Sequence, residues 1–221
     1  MKRRDFSIQA VAASASLGVA GLGAVGTARA QGGPVEGTHY VRLSQPAPVT
    51  LPSPGKKIEV VEFFWYECSH CNAFEPQLEA WVKRLPADVY FRQVPVGFTA
   101  RHQLTQKMFY ALEDMGQLQA LHRKIFVAIH VQNKRLNNEA DILAFVTANG
   151  VDGAKFTESY RSFQVNTQAN RARQLSDAYK IDGVPALGIN GRFFTSGALA
   201  GSHERALAVA DFLIERSRQK A

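Results

Sequence analysis

The chain has 221 residues, of which 46% are hydrophobic and 20% are charged, and its net charge at pH 7 is +7. This composition excludes an intrinsically disordered chain and a membrane-embedded one, and it suits one domain or one domain with an insertion. The basic residues are scattered rather than clustered in runs, so the charge pattern does not indicate nucleic-acid binding.

Residues 1–30 have the pattern of a cleaved export signal. A basic start at residues 2–4 precedes an uncharged stretch rich in Ala, Gly, Leu and Val, and residues 28–30 (Ala-Arg-Ala) form a small-residue cleavage site. Residues 3–6 resemble a twin-arginine signal, and the high glycine content disfavours the alternative of a membrane anchor. Cleavage after Ala30 removes four basic residues and one acid, so the net charge falls from +7 to +4. We therefore expect the mature chain in the periplasm.

A short strand, two longer strands and a helix are predicted in the first half of the mature chain. Residues 31–57 are rich in Gly and Pro, with one short strand predicted at residues 41–43. The run of β-branched and aromatic residues at 58–65 predicts a central strand. From Cys68 onward, apolar residues recur at three- and four-residue steps, which predicts a helix, and residues 89–96 predict a second strand.

The second half begins with a helical block. Residues from about 100 to 165 contain three apolar helical faces and a short fourth one, and no convincing strand. A long helix is predicted from about Asn166 to Tyr179. Residues 186–195 predict a hairpin around Asn190-Gly191, which is a type I′ turn signal, and a last helix follows.

The order of these elements predicts an α/β thioredoxin-like fold, in which a mixed central sheet is flanked by helices, with an all-helical insertion. Residues 31–99 and 166–221 would form the thioredoxin-like domain, and residues 100–165 would form the insertion. The insertion accounts for the extra length.

Cys68 and Cys71 are the only cysteines, and they stand two residues apart where the strand runs into the helix. Cysteine reacts as the thiolate, and the free N–H groups at a helix N-terminus favour that anion, as does protonated His70. We therefore expect a lowered pKa for Cys68, which favours the dithiol and makes the disulfide form an oxidant. Cys71, one turn into the helix and more buried, is expected to be the resolving cysteine.

Three other interpretations of this pair remain open. A zinc site would need a second ligand pair, and the other histidines have no ligand-like spacing. A Cu(I) site made by Cys68, Cys71 and His70 would indicate an exported copper carrier. A purely structural disulfide is also possible, although so short a loop adds little stability.

Glu62 stands six residues before Cys68 in an otherwise apolar strand. Burial would raise the pKa of its carboxyl group, and we expect it to exchange protons with Cys71 through a water molecule. The alternative is an ion pair with Arg92 or Lys57 at the edge of the sheet.

Pro185 opens a predicted strand, where it cannot donate a backbone hydrogen bond. The sequence alone favours an ordinary trans turn proline. A cis bond would instead present the Val184 backbone to a bound peptide close to Cys68.

The chain resembles the DsbA-type thiol:disulfide oxidoreductases over essentially its whole mature length. The resemblance rests on four features in this order: Glu62-Phe63-Phe64, the Cys-x-His-Cys motif at 68–71, the helical block, and Gly183-Val184-Pro185-Ala186. It implies that Pro185 is the cis-proline beside the active site and that Glu62 is the buried acid of that family.

The resemblance also implies a function and partners. Such enzymes oxidise cysteine pairs in newly exported, unfolded proteins, are reoxidised by a quinone-linked membrane partner of the DsbB type, and need no bound cofactor. We expect Ser69, Val184 and Pro185 to contact substrate, with Trp65 and Tyr66 either at the edge of that surface or in the core. A disulfide isomerase or reductase is the alternative within the enzyme class. Those enzymes usually dimerise through a dedicated domain for which residues 31–57 are too few, so we expect a monomer.

Three residues depart from the usual pattern of that family. Ser69 stands where the best-known members have proline, and the dipeptide between the cysteines tunes the redox potential. Glu67 places a negative charge directly before Cys68, and Gln93 stands where a lysine often faces the buried acid. We expect Glu67 to oppose ionisation of Cys68 and Gln93 to change the proton path through Glu62.

Overall fold

The structure is a computed structural model that describes residues 32–219, so the predicted export signal lies outside the described residues. The strands are β1 (Val41–Arg42), β2 (Ile58–Phe64), β3 (Val89–Pro95), β4 (Ala186–Ile189) and β5 (Phe193–Ser196). The helices are α1 (Ser69–Val82), α2 (Ala100–Asp114), α3 (Leu118–His130), α4 (Glu139–Ala148), α5 (Gly153–Arg161), α6 (Phe163–Ala178), α7 (Gly197–Ala200) and α8 (His203–Arg218). Within residues 32–219, none of these helices has the length and apolar character needed to cross a membrane.

The five strands form one mixed sheet in the order β1-β5-β4-β2-β3. Strands β2 and β3 are parallel and are joined by α1, whereas β4 is antiparallel to both β2 and β5. The mixed sheet flanked by helices confirms the predicted thioredoxin-like fold. Helices α2 to α5 follow β3 in the chain and precede α6.

Strand β2 is buried along its whole length because both faces of the sheet are covered. On one face, Ile58 and Val60 pack with apolar residues of α1 and α8. On the other, Val61 and Phe63 pack in a larger cluster with residues of α2 to α6. A strand between two such layers has no solvent-facing side for a charged residue, so any acid within it must be buried.

Two helices differ from the sequence prediction. Helix α6 begins at Phe163, three residues before the predicted start, because the Ser162 hydroxyl accepts a hydrogen bond from the Val165 amide and caps it there. Helix α7 is a single turn that was not predicted, since four residues are too few to show a helical period.

The predicted hairpin between β4 and β5 is confirmed, and its turn is Asn190-Gly191. Both residues have positive φ, 48° and 66°, as a type I′ turn requires. The Gly191 Cα also lies against the segment before β2, because a Cβ built on it would be 2.4 Å from the Ala47 carbonyl oxygen. This contact holds the segment that leads into the central strand.

The substitution Gly191→Ala should therefore destabilise the fold in two ways. The positive φ costs an L-residue about 1–2 kcal/mol, and the overlap with Ala47 adds about 1–3 kcal/mol. Gly116→Ala is a matched control, because Gly116 has the same φ of +66° and open space around it. The measurement is urea-induced unfolding of both variants. Equal losses of stability would show that the contact with Ala47 contributes nothing.

Candidate active site

Cys68 is the N-cap residue of α1. Its backbone is extended (φ −79°, ψ 118°), and its Sγ accepts a hydrogen bond of 3.3 Å from the Cys71 amide. A Ser, Thr, Asn or Asp oxygen usually has this role at a helix start. Here a sulfur occupies the position, so the helix N-terminus acts directly on the thiol.

The two thiols are free in this structure, and their pKa values move in opposite directions. The pKa of Cys68 falls to about 6, chiefly because the Cys71 thiol donates to it, helped by the Cys71 and His70 backbone amides and by the charge of His70. Burial raises the pKa of Cys71 strongly, and the charges of Cys68 and Glu62 add to this. Of the two sulfurs, only Cys68 is therefore ionised at neutral pH.

The helix terminus and the charge of His70 were the predicted causes of the lowered pKa of Cys68. The structure adds the Cys71 thiol, which has the largest effect, and places the charge of His70 last among the favourable causes. His70 and Ser69 are both exposed in the first turn of α1, whereas Cys71 is fully buried.

The peptide bond between Val184 and Pro185 is cis. The trans proline that the sequence alone favoured is therefore wrong, and the expectation from the family resemblance is right. The Val184 carbonyl oxygen lies 3.4 Å from the Cys68 Sγ, which brings together residues 116 positions apart.

Val184 and Pro185 line a groove of about 520 Å³ beside the cysteine pair. Its walls include His70 from α1, Phe194 from β5 and His203 from α8. Ser69, which the sequence analysis placed at the substrate surface, does not line this groove.

Trp65 and Tyr66 have different environments. Tyr66 is fully buried, and its hydroxyl contacts Nδ1 of His122 at 2.7 Å, so it belongs to the core rather than to the edge of a peptide surface. Trp65 is partly buried and stacks on His102, with ring centroids 4.2 Å apart.

Glu62 is completely buried. Its Oε2 accepts a hydrogen bond of 2.8 Å from the side-chain amide of Gln93, the residue opposite it in the parallel register of β2 and β3. Burial raises the pKa of Glu62 well above its ordinary value, and the charge of Glu75 adds to the effect. The alternative of an ion pair between Glu62 and Arg92 is wrong. Arg92 on β3 instead pairs with Glu59, which lies on β2 like Glu62, and its Nε is 2.8 Å from Oε1 of Glu59.

Two residues near Glu62 were missed by the sequence analysis, Glu75 on α1 and His122 on α3. Both contact the Gln93 side-chain nitrogen, at 3.2 and 3.1 Å. Glu75 could have been found, since it stands four residues after Cys71 and therefore on the same helix face. No sequence pattern points to His122, because only the packing of α3 in the folded chain brings it to Gln93 and Glu75.

Glu67 forms an ion pair with Arg101 from the first turn of α2. The Arg101 Nε lies 2.9 Å from Oε2 of Glu67, and the guanidinium group lies over the ring of Trp65, 5.8 Å from its centroid. Glu67 is almost buried, so its charge is compensated at close range by a residue that sequence reasoning did not connect to it. The positive charge of Arg101 therefore counteracts the expected effect of Glu67, which is to oppose ionisation of Cys68.

Within residues 32–219, the structure brings together no group of three or more His, Cys, Asp or Glu side chains suited to hold a metal ion.

Residues 59–204 match the family model of the DSBA-like thioredoxin domain. A curated relative from Pseudomonas aeruginosa, the thiol:disulfide interchange protein DsbA, is 42% identical over 185 residues, which cover 84% of this chain and 86% of the relative. The DsbA of Bordetella pertussis is 42% identical over 208 residues, covering 94% and 95% of the two chains.

Solved structures show the same similarity. The crystal structure of Pseudomonas aeruginosa DsbA superposes with a TM-score of 0.79 at 41% identity, covering 85% of this chain and 96% of that one. The oxidoreductase DsbA from Xylella fastidiosa superposes with a TM-score of 0.77 at 30% identity, covering 84% and 98%.

The lowered pKa of Cys68 predicts how the stability of the reduced chain depends on pH. In the unfolded chain Cys68 keeps its proton up to about pH 8.5, whereas in the folded chain it loses it near pH 6. Between these values the unfolded state binds more protons, so the free energy of unfolding rises with pH and the gain is lost below pH 6. Because Cys68 is partly exposed, solvent screening limits the gain to about 1–3 kcal/mol.

Cys68→Ser is the control for this prediction, because it has no low-pKa thiol at the helix start. Urea unfolding under reducing conditions should show the rise in the parent chain and not in the variant. Parallel curves between pH 6 and about 8.5 would contradict the assigned thiolate.

Arg101→Gln should raise the pKa of Cys68, because it leaves the negative charge of Glu67 uncompensated beside the thiolate. The pair is partly exposed, so we expect a modest shift of about half a pH unit, measured by thiolate absorbance. Glu67→Gln combined with Arg101→Gln should restore the original value. Arg123→Gln is the control, since Arg123 bonds at 3.1 Å to Asn72 on α1 rather than to a carboxylate. An unchanged pKa in Arg101→Gln would refute this role.

Proposed function

Because the chain belongs to the DSBA-like thioredoxin family and is a thiol:disulfide oxidoreductase, we propose that it donates a Cys68–Cys71 disulfide to cysteine pairs of other proteins. The observation that supports this most directly is the thiolate of Cys68, stabilised by hydrogen bonds from Cys71. A dithiol stabilised in this way makes the disulfide form a strong oxidant. The family membership favours this redox role over a Cu(I) carrier.

In the first step, a substrate thiolate attacks the Cys68 Sγ. A bond forms between the two sulfurs, the Cys68–Cys71 bond breaks, and the electron pair goes to Cys71. Because burial raises the pKa of Cys71, this sulfur must take up a proton as it leaves. Cys68 is the sulfur that is attacked, since it is the partly exposed one of the two.

In the second step, the other substrate thiolate attacks the substrate sulfur of the mixed disulfide. The new substrate disulfide forms, and Cys68 leaves with the electron pair. With a pKa of about 6, Cys68 needs no proton to leave at neutral pH. The enzyme is reduced by two electrons, and the substrate is oxidised by two.

Glu62 is the proton donor for Cys71 in this scheme. Burial raises the pKa of its carboxyl group well above the ordinary value, which favours the protonated form, and in the ionised form it would repel negative charge on either cysteine. Oε2 is bonded to Gln93, whereas Oε1 has no hydrogen-bond partner among residues 32–219. The free oxygen is therefore the one that can hold the proton delivered to Cys71.

The groove beside the cis proline is the proposed substrate site. The cysteine-bearing segment of the substrate would lie against Val184 and Pro185 in the groove that His70 and His203 also line. The groove has an apolar floor and contains few charges, which suits an unfolded chain with exposed apolar side chains.

The cellular setting follows from the export signal proposed at residues 1–30. We propose that the chain acts in the periplasm, as a monomer, on newly exported proteins with free cysteines. A quinone-linked membrane protein of the DsbB type would reoxidise it. Residues 31–99 and 166–221 would form the thioredoxin-like domain, with residues 100–165 as its helical insertion.

Cys68→Ser and Cys71→Ser should fail in different ways. Both lose oxidation of a two-cysteine peptide. A peptide with one cysteine, supplied in excess as its symmetric disulfide, should form a lasting mixed disulfide with Cys71→Ser, because the Cys68 thiolate displaces one peptide thiolate and no second thiol is present to resolve the new bond. Mass spectrometry after mixing each reduced variant with this peptide disulfide detects the adduct. The proposed function would be wrong if Cys68→Ser kept full activity or trapped the peptide equally well.

A further inference from the structure

A cluster of polar side chains lies beneath the cysteine pair and joins four elements. The Gln93 nitrogen of β3 is 2.8 Å from Glu62 on β2 and 3.2 Å from Glu75 on α1. His122 of α3 places Nε2 3.3 Å from the Glu75 carboxylate and Nδ1 2.7 Å from the Tyr66 hydroxyl. Two carboxyl groups thus share one amide, and His122 contacts only the second of them.

The number of hydrogens on each group determines which groups donate hydrogen bonds and which accept them. The Gln93 amide has two hydrogens, but three possible acceptors lie within 3.2 Å of it. The two carboxyl groups have oxygens that can accept there, so Nε2 of His122 is left to donate to Glu75. In this arrangement Nδ1 of His122 accepts the hydrogen bond from the Tyr66 hydroxyl.

The cluster also adjoins a cavity of about 470 Å³, which Val184 and Pro185 do not line. Glu75, Gln93 and His122 line this cavity, whereas Glu62 does not. It reaches the surface at exposed Glu79 and Lys83. The other charged groups that line it are Arg92, Glu113 and Arg123. A Glu75 side chain without a partner would be free to turn into this space.

We propose that His122 is a positioning residue of the redox centre: it holds the Glu75 carboxylate beside Glu62, so that Glu62 keeps the proton it delivers to Cys71. The role rests on the proposed function, in which Glu62 protonates the leaving sulfur. His122 touches neither cysteine, so it acts only through the charge of Glu75. Like charges held close together cannot both ionise easily, and the more buried acid retains its proton.

Replacing His122 by Leu removes both of its hydrogen bonds. Glu75 is then no longer held beside Glu62 and turns towards the cavity, which weakens its repulsion of ionised Glu62. Glu62 should therefore titrate about one pH unit lower, as expected for partial loss of a nearby like charge. His122→Gln retains an N–H donor and an oxygen acceptor, so it should restore the parent value.

His130→Leu is the matched control. His130 lies on the same helix and also bonds to Tyr66, but at the backbone oxygen (2.8 Å), and it contacts no carboxylate. Glu75→Gln is the reference, because it removes the charge itself and should lower the titration at least as far. His122→Leu should cause no further shift in the Glu75→Gln background.

The measurement is NMR titration of ¹³C-labelled glutamate carboxyl groups in the reduced chain, which does not depend on activity. Failure of the proposed function would appear separately, as oxidation of the test peptide by Cys68→Ser. If His122→Leu does not fold, the shorter His122→Asn, which cannot reach both partners, should give the same direction of shift. The inference is overturned if Glu62 titrates as in the parent, if His130→Leu shifts it equally, or if the shift persists with Glu75→Gln.

Discussion

The hydrogen bonds from Cys71 to the Cys68 sulfur are the interaction on which the chemistry of this site depends. They exist because Cys68 caps α1, which places its Sγ against the Cys71 amide at the helix start. The same arrangement buries Cys71 inside the first turn, so one backbone geometry lowers the first pKa and raises the second. A redox pair with unequal sulfurs therefore follows from helix capping.

This asymmetry creates a second requirement, because a buried sulfur that leaves must be protonated from within the protein. Glu62, the donor proposed here, suits this requirement because β2 is covered on both faces, which removes water from the carboxyl group. A buried acid is costly unless its polar atoms are bonded. The amide of Gln93 offsets part of that cost through the parallel register of β2 and β3. Strand β2 thus supplies the site of the acid, and its parallel neighbour β3 supplies the partner that makes its burial tolerable.

The sequence was sufficient for features that depend on local pattern. The run of β-branched and aromatic residues in β2, the apolar period of α1 and the Asn190-Gly191 turn each identified an element near its observed bounds. Features that depend on distant partners were less accessible. The cis bond at Pro185 and the contact of Val184 with Cys68 need the whole fold, and sequence alone favoured the wrong isomer. Glu75 was within reach of sequence reasoning, because its spacing from Cys71 marks the buried face of α1.

Two of the three residues that depart from the usual family pattern, Glu67 and Gln93, show why single positions mislead when they are judged alone. Glu67 adds a charge next to the thiolate, but Arg101 at the start of α2 compensates it. Gln93 brings no cation to the buried acid, but it bonds to both carboxyl groups at once, and His122 of α3 supplies a further donor. In both cases the compensating group comes from the helices that follow β3. These helices therefore do more than cover the sheet, since they determine the electrostatic environment in which the cysteine pair reacts.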